Sequence, residues 1–146
     1  MARRSASAAP AAPARRYRVL LVAGEASGDL HGADLLAALR TRLPEVEVFG
    51  IGGERLREAG METVADAGEV ATVGLTEVVG RLRALVRAYR ALVRTLRTEP
   101  PDLCVLIDFP EFNLRLARAA SRCGVPVIYF IPPQIWAWRG WRVRAM

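Results

Sequence analysis

The sequence predicts a doubly wound parallel α/β sheet, on three observations. Four short apolar runs recur along the chain, each nearly free of polar residues. A helical pattern separates most of them from the next. Glycine or aspartate follows each of the first three runs, and Ile-Pro-Pro follows the fourth, where a strand would end.

Tyr17–Ala23 (YRVLLVA) is apolar almost throughout, as a strand covered on both faces must be. The turn GEASGD follows, and a helix runs from it to about Arg42, with Leu36, Leu39 and Leu43 at helical spacing. Val46–Ile51 reads as the second strand, closed by Gly52 and Gly53. Glu54–Ala59 fits one or two helical turns stopped by Gly60, and a short extended piece lies around Glu62–Val64. Leu75–Arg97 carries the longest helical pattern, and Pro100-Pro101 breaks it. Leu103–Ile107 (LCVLI) is a third buried strand. Asn113–Arg122 is a helix closed by Gly124, and Val125–Phe130 (VPVIYF) is the last strand. The tail IPPQIWAWRGWRVRAM opens as a loop and can then turn helical.

The 146 residues suffice for one domain, and at 52 % apolar and 25 % charged they have the balance of a globular chain with ample core. The net charge is +6, and all 21 basic residues are arginine. An absence of lysine beside so much alanine points to a GC-rich genome, so part of the charge reflects codon usage. The remainder favours an anionic partner, either a phosphorylated ligand or a lipid surface. Cys104 and Cys123 form no CxxC pair and have no histidine cluster near them, His31 being the only histidine. Neither a zinc site nor a disulfide framework is indicated. The first sixteen residues are low-complexity Ala/Pro/Arg, and Pro10 and Pro13 interrupt the apolar stretch that a secretory signal needs. They read as a disordered tail ahead of a domain over 17–146. No apolar run approaches the roughly 20 residues needed to span a bilayer, so a cytoplasmic protein, or one attached to a membrane from the side, is expected.

In such sheets ligands bind beyond the carboxyl ends of the strands. Three segments fall there: GEASGD, DFPEFN and PPQIWAW. In the first, Gly24, Glu25, Ser27, Gly28 and Asp29 join a strand to a helix. Glycine lets backbone approach a ligand, and free amides at a helix start attract anions. The alternative is a tight turn in which Asp29 merely caps the helix. In the second, Asp108 emerges at the end of an apolar strand between Phe109 and Phe112, a place suited to a general base. Its alternative is a helix cap, a role open also to Asn113. In the third, Gln134, Trp136, Trp138, Arg139 and Arg142 combine a rigid apolar platform with basic groups. That suits an amphiphile bearing phosphate or sugar, though single-stranded nucleic acid is a rival ligand. Along Leu75–Arg97 a broad apolar face (Leu75, Val78, Val79, Leu82, Leu85, Val86, Tyr89, Leu92, Val93, Leu96) runs beside an arginine stripe at 83, 87, 90, 94 and 97. It is either an ordinary crossover helix with its arginines in water or a basic amphipathic element against anionic lipid.

Five collinear segments resemble the lipid-A-disaccharide synthase family: VAGEASGDLHGA at 22–33, GIGGERLREAG at 50–60, VGLTEVVGRLR at 73–83, IDFPEFNLRLA at 107–117 and PPQIWAWRGWR at 132–142. The resemblance runs from about Tyr17 to the last residue. It implies the Rossmann-like N-terminal, acceptor-side domain of a two-domain GT-B glycosyltransferase. The implied reaction is an inverting transfer from UDP-2,3-diacylglucosamine to 2,3-diacylglucosamine 1-phosphate, forming a β-1,6 disaccharide at the cytoplasmic face of the inner membrane. No cofactor, no metal and no nucleic acid are implied. Residue by residue, it implies that Asp108 is the base towards the acceptor hydroxyl. Gly24, Glu25, Ser27, Gly28 and Asp29 form the first substrate loop; Asn113, Gln134, Trp136, Trp138, Arg139 and Arg142 complete the substrate side. Leu75, Val78, Val79, Leu82, Arg83, Arg87 and Arg90 fall in the membrane-associating region. Glu54 stands where proline is usual, Leu56 where methionine is, Glu111 where aspartate is, and Pro132 where serine is. Pro132 removes a hydroxyl; Glu111 keeps the charge and competes with Asp108 for the base role. The length accommodates only part of that architecture, so a fragment without the UDP-sugar domain, inactive alone, is expected. Another GT-B transferase and a non-enzymatic nucleotide or nucleic-acid binding module are the alternatives.

Overall fold

The computed structural model of the chain describes residues 16–66 and 77–130. It consists of β1 (Arg18–Ala23), α1 (Ala26–Arg42), β2 (Glu47–Gly52), α2 (Glu54–Glu58), β3 (Glu62–Asp66), α3 (Glu77–Thr98), β4 (Leu103–Ile107), α4 (Pro110–Arg122) and β5 (Val127–Tyr129). The five strands form one sheet in the order β3-β2-β1-β4-β5, and every pairing is parallel. The expected fold class is therefore the observed one, with strand ends shifted by a residue or two.

Alternation along the strands divides the core between two faces. Leu20, Val22, Phe49, Ile51, Cys104 and Leu106 point to one side, where they meet Leu92 and Leu96 of α3 and Leu116 of α4. Val19, Leu21, Ala23, Val48, Val105 and Ile107 point to the other, against Leu36 of α1 and Leu56 of α2. A strand apolar on both sides is what a sheet with helices on both faces requires. Cys104 belongs to this core as a small hydrophobe, and burial pushes its thiol up to about 12.

Two helices differ in detail from the sequence expectation. α1 turns Gly28, Gly32 and Leu36 inward, one every four residues, whereas Leu43 at its end is exposed. The two glycines make a seam: a Cβ on Gly28 would lie 3.3 Å from Ile107 Cγ2, and one on Gly32 3.1 Å from Leu56 Cδ1. Leucine spacing alone does not reveal a face built on missing side chains. In α3 the apolar face is not buried along its length. Ala88, Leu92 and Leu96 are buried, but Leu82 and Val86 remain 61 % and 40 % exposed. The C-terminal half serves as the crossover helix, and the N-terminal half carries apolar side chains out to the surface.

Candidate active site

The site lies where the strand order reverses. From β1 the chain builds outward to β2 and β3, then returns to place β4 on the other side of β1. Ala23 and Ile107 are the last residues in register between these two strands. Gly24 and Asp108 therefore leave the sheet side by side, in the crevice that doubly wound sheets use for ligands.

Asp108 and Phe109 both adopt left-handed backbone, with φ of 48° and 52°. Side-chain-bearing residues enter that region at a cost on the order of 1–3 kcal/mol each, and persist there only when their surroundings over-determine them. Four contacts do so here. The Tyr129 hydroxyl donates to the Asp108 carbonyl at 2.7 Å. Asn113 Nδ2 donates to the same carbonyl at 2.6 Å and to that of Ile107 at 3.2 Å. The Phe109 ring stacks on Phe112 with centroids 5.1 Å apart. Its other neighbour is Gly24, where any Cβ would collide with the ring. Gly24 thus serves the close approach of a side chain, and through it the conformation of the Asp108 loop.

Phe109 is the N-cap of α4 and Pro110 its first residue. Proline is compatible with that position because its fixed φ suits a helix and its missing N–H would have had no partner. The helix starts three residues earlier than the Asn113 expected from sequence, so Asn113 is not its cap. Asn113 is fully buried in the first turns and reaches back to the strand end. Its Oδ1 has no hydrogen-bond partner among the described residues. Nor is Asp108 seen to cap the helix: among the described residues its contacts run through its main-chain carbonyl, and its half-buried carboxylate makes no hydrogen bond to the helix start. Glu111 is exposed in the first turn, where a carboxylate complements the helix dipole.

Tyr129 is the member of this cluster that sequence reasoning missed. Burial pushes its phenol up to about 12; an Asn113 hydrogen bond acts the other way, and the Asp108 charge raises it further. It stays a protonated donor across the physiological range. The available signal was register: Tyr129 pairs with Leu106, two residues before Asp108, on the neighbouring strand.

The first loop divides between surface and structure. Glu25, the N-cap of α1, and Ser27 are exposed at the crevice side. Gly28 is buried in the helix–sheet seam. Asp29 is 6 % exposed and does not cap its own helix. Its carboxylate instead accepts from the backbone N–H groups of Gly53 (2.7 Å), Arg55 (3.0 Å) and Leu56 (3.3 Å), capping α2 from across the fold. Gln134, Trp136, Trp138, Arg139, Arg142 and Leu75 lie outside the described residues. Val78 and Val79 fall in the first turn of α3, while Leu82, Arg83, Arg87 and Arg90 are exposed further along it. Among the described residues no three His, Cys, Asp or Glu side chains gather to hold a metal ion, and no helix is long and apolar enough to cross a membrane.

A family model described as lipid-A-disaccharide synthetase matches residues 19–146, taking in all of the sheet but Arg18 and both loops of the crevice. The chain belongs to the lipid-A-disaccharide synthetase family. It is 50 % identical over 130 residues to the lipid-A-disaccharide synthase of Geobacter sulfurreducens, covering 89 % of this chain and 34 % of that protein. To the synthase of Syntrophus aciditrophicus it is 51 % identical over 128 residues, covering 88 % and 33 %. To that of Myxococcus xanthus it is 48 % identical over 129 residues, covering 88 % and 34 %. The chain thus spans about a third of the length of these curated relatives. The part it shares with the lipid-A-disaccharide synthetase family is the part that carries the strained Asp108 loop.

Proposed function

We propose that this chain is the acceptor-side part of a lipid-A-disaccharide synthase. In this reading 2,3-diacylglucosamine passes from UDP-2,3-diacylglucosamine to 2,3-diacylglucosamine 1-phosphate. Asp108 takes the proton of the acceptor's primary hydroxyl. The oxygen attacks the anomeric carbon from the face opposite UDP, the bond from that carbon to UDP breaks, and UDP leaves with the electron pair. The configuration inverts and a β-1,6 disaccharide results. Glu25 and Ser27 border the acceptor, Gly24 and Asn113 hold the Asp108 loop beside it, and Gln134, Trp136, Trp138, Arg139 and Arg142 complete the substrate side. Asp29 and Gly28 support the loop from behind. The arginine stripe and exposed apolar residues of α3 rest on the anionic inner membrane from its cytoplasmic face.

One observation carries the reading: Asp108 stands at the topological switch point, on a backbone strained and held by Tyr129 and Asn113, and among the described residues its carboxylate does not cap the helix that follows. Strain of this kind persists at sites that use it. A general base contributes about a hundredfold to ten-thousandfold. In a full-length version of the enzyme, Asp108→Asn is expected to lower kcat by that range, because it keeps shape and removes the base. Glu111→Gln is expected to cost far less. A near-normal rate in Asp108→Asn with collapse in Glu111→Gln would exchange the two roles.

A further inference from the structure

A groove of about 350 Å³ lies between α3 and α4 and takes in Phe109, the residue that follows Asp108. Leu85, Val86 and Tyr89 line it from α3; Phe109 and Phe112 line it from the start of α4. Tyr89 stands edge-on to Phe112, centroids 5.8 Å apart, and Phe112 stacks on Phe109. The three rings form a continuous apolar surface from α3 to the residue that follows Asp108. At the opposite end the groove includes Leu82, the exposed residue on the outer half of α3. Arg90, Arg115 and Glu111 form its polar margin, with a net positive charge.

We propose that this groove binds one acyl chain of the acceptor substrate, which rests on the reading of Asp108 as the base towards a diacylated acceptor. Three features select that occupant. The volume is at the low end of small-molecule pockets. The lining is apolar and aromatic, with charge only at the margin, which matches a hydrocarbon chain attached to an anionic head. The groove also reaches from Phe109, the residue after Asp108, to Leu82 and Val86, the exposed apolar residues of α3. A chain lying in it would lead from the membrane side to the hydroxyl that reacts.

The test is calorimetric titration of the chain with n-alkyl phosphates from butyl to dodecyl, below their micelle concentrations. Affinity is expected to rise about fourfold per buried methylene and to level off once the groove is full. Val86→Trp, at an exposed rim position, is expected to weaken dodecyl phosphate at least about tenfold and leave butyl phosphate unchanged, with an unaltered melting temperature. Leu85→Ser serves as a second variant should the tryptophan find another rotamer. Affinity independent of chain length, or full dodecyl binding in both variants, overturns the proposal. So does displacement of dodecyl phosphate by monomeric dihexanoyl phosphatidylglycerol below its micelle concentration, which would make the occupant a membrane lipid. A benzophenone at position 86 that crosslinks to residues 131–146 despite saturating probe would make it the chain's own tail, and equally overturn it. Failure of the Asp108 reading is separate: an active full-length Asp108→Asn enzyme beside chain-length-dependent binding removes the base and leaves the groove.

Discussion

The Tyr129 hydroxyl donates a 2.7 Å hydrogen bond to the main-chain carbonyl of Asp108, and Asn113 Nδ2 donates to the same oxygen at 2.6 Å. One donor comes from β5 and the other from α4, so the strained loop is tied to elements on both of its sides. An oxygen with two lone pairs can accept both bonds. The arrangement fixes the backbone and leaves the Asp108 carboxylate unconstrained by it, which is how a scaffold can hold a reactive side chain without consuming it.

Tyr129→Phe is expected to destabilise the chain by about 1 kcal/mol in urea titration, the value of one neutral hydrogen bond whose acceptor keeps a second donor. A pH signature accompanies it. The folded phenol titrates near 12, above its ordinary value of 10.0, so the fold favours the protonated form. That contribution is complete below pH 10 and is lost as pH rises towards 12. Buried Cys104 acts in the same direction from about 9 upwards in both proteins. The difference between wild type and Tyr129→Phe therefore isolates the tyrosine and should shrink between pH 10 and 12. A constant difference would place the hydroxyl elsewhere.

Gly24→Ala should reveal the contact with Phe109. The new methyl collides with the ring, so either the ring leaves Phe112 or the loop shifts. Overpacking of this kind costs about 1–3 kcal/mol. Combining it with Phe109→Leu, which frees the space, should recover part of that loss, with a coupling of about 0.5–3 kcal/mol in the double-mutant cycle. Strict additivity would show that the two residues do not meet.

Asp29→Ala leaves three amides at the start of α2 without their acceptor and is expected to cost about 1–3 kcal/mol. Asp29→Asn keeps one acceptor oxygen and should cost less. Hydrogen exchange would localise the loss: amides of Arg55 and Leu56 should lose protection before those of β1. Uniform loss across the sheet would deny the carboxylate this local role.

The division between what the sequence disclosed and what it did not follows physical lines. Alternating burial in parallel strands writes itself as short apolar runs, so RVLLVA, LCVLI and the sheet they build were legible. The position of Asp108 was legible too, because a polar residue ending such a run must emerge at the sheet edge. Its conformation was not: nothing in Asp-Phe-Pro announces two left-handed residues beyond the bias of Phe109 away from α geometry before proline. The Gly28 and Gly32 seam was hidden because it is made of absent side chains. Asp29 looked local and proved long-range, bonding to amides about 25 residues away, a distance that no local pattern encodes.

The last prediction concerns the arginine stripe of α3. Arg83, Arg87 and Arg94 are exposed and line a shallow basic groove of about 570 Å³ together with Leu82 and Val86. An ordinary solvated face would scatter its arginines in water and bury its leucine; here the leucine is 61 % exposed beside them. Basic residues near an anionic surface contribute about 1 kcal/mol each, and apolar side chains entering the interface add to that. Reversing Arg83, Arg87 and Arg94 to glutamate turns three attractions into repulsions. Flotation with phosphatidylglycerol vesicles should then be abolished, while Leu82→Ser alone should weaken it. Arg90 is left untouched, so the alkyl groove keeps its margin and any loss of flotation belongs to the stripe. Added salt should mimic the triple variant, because the attraction is screened within about 8–10 Å at physiological ionic strength. Flotation that survives the three reversals would mean that the stripe faces water.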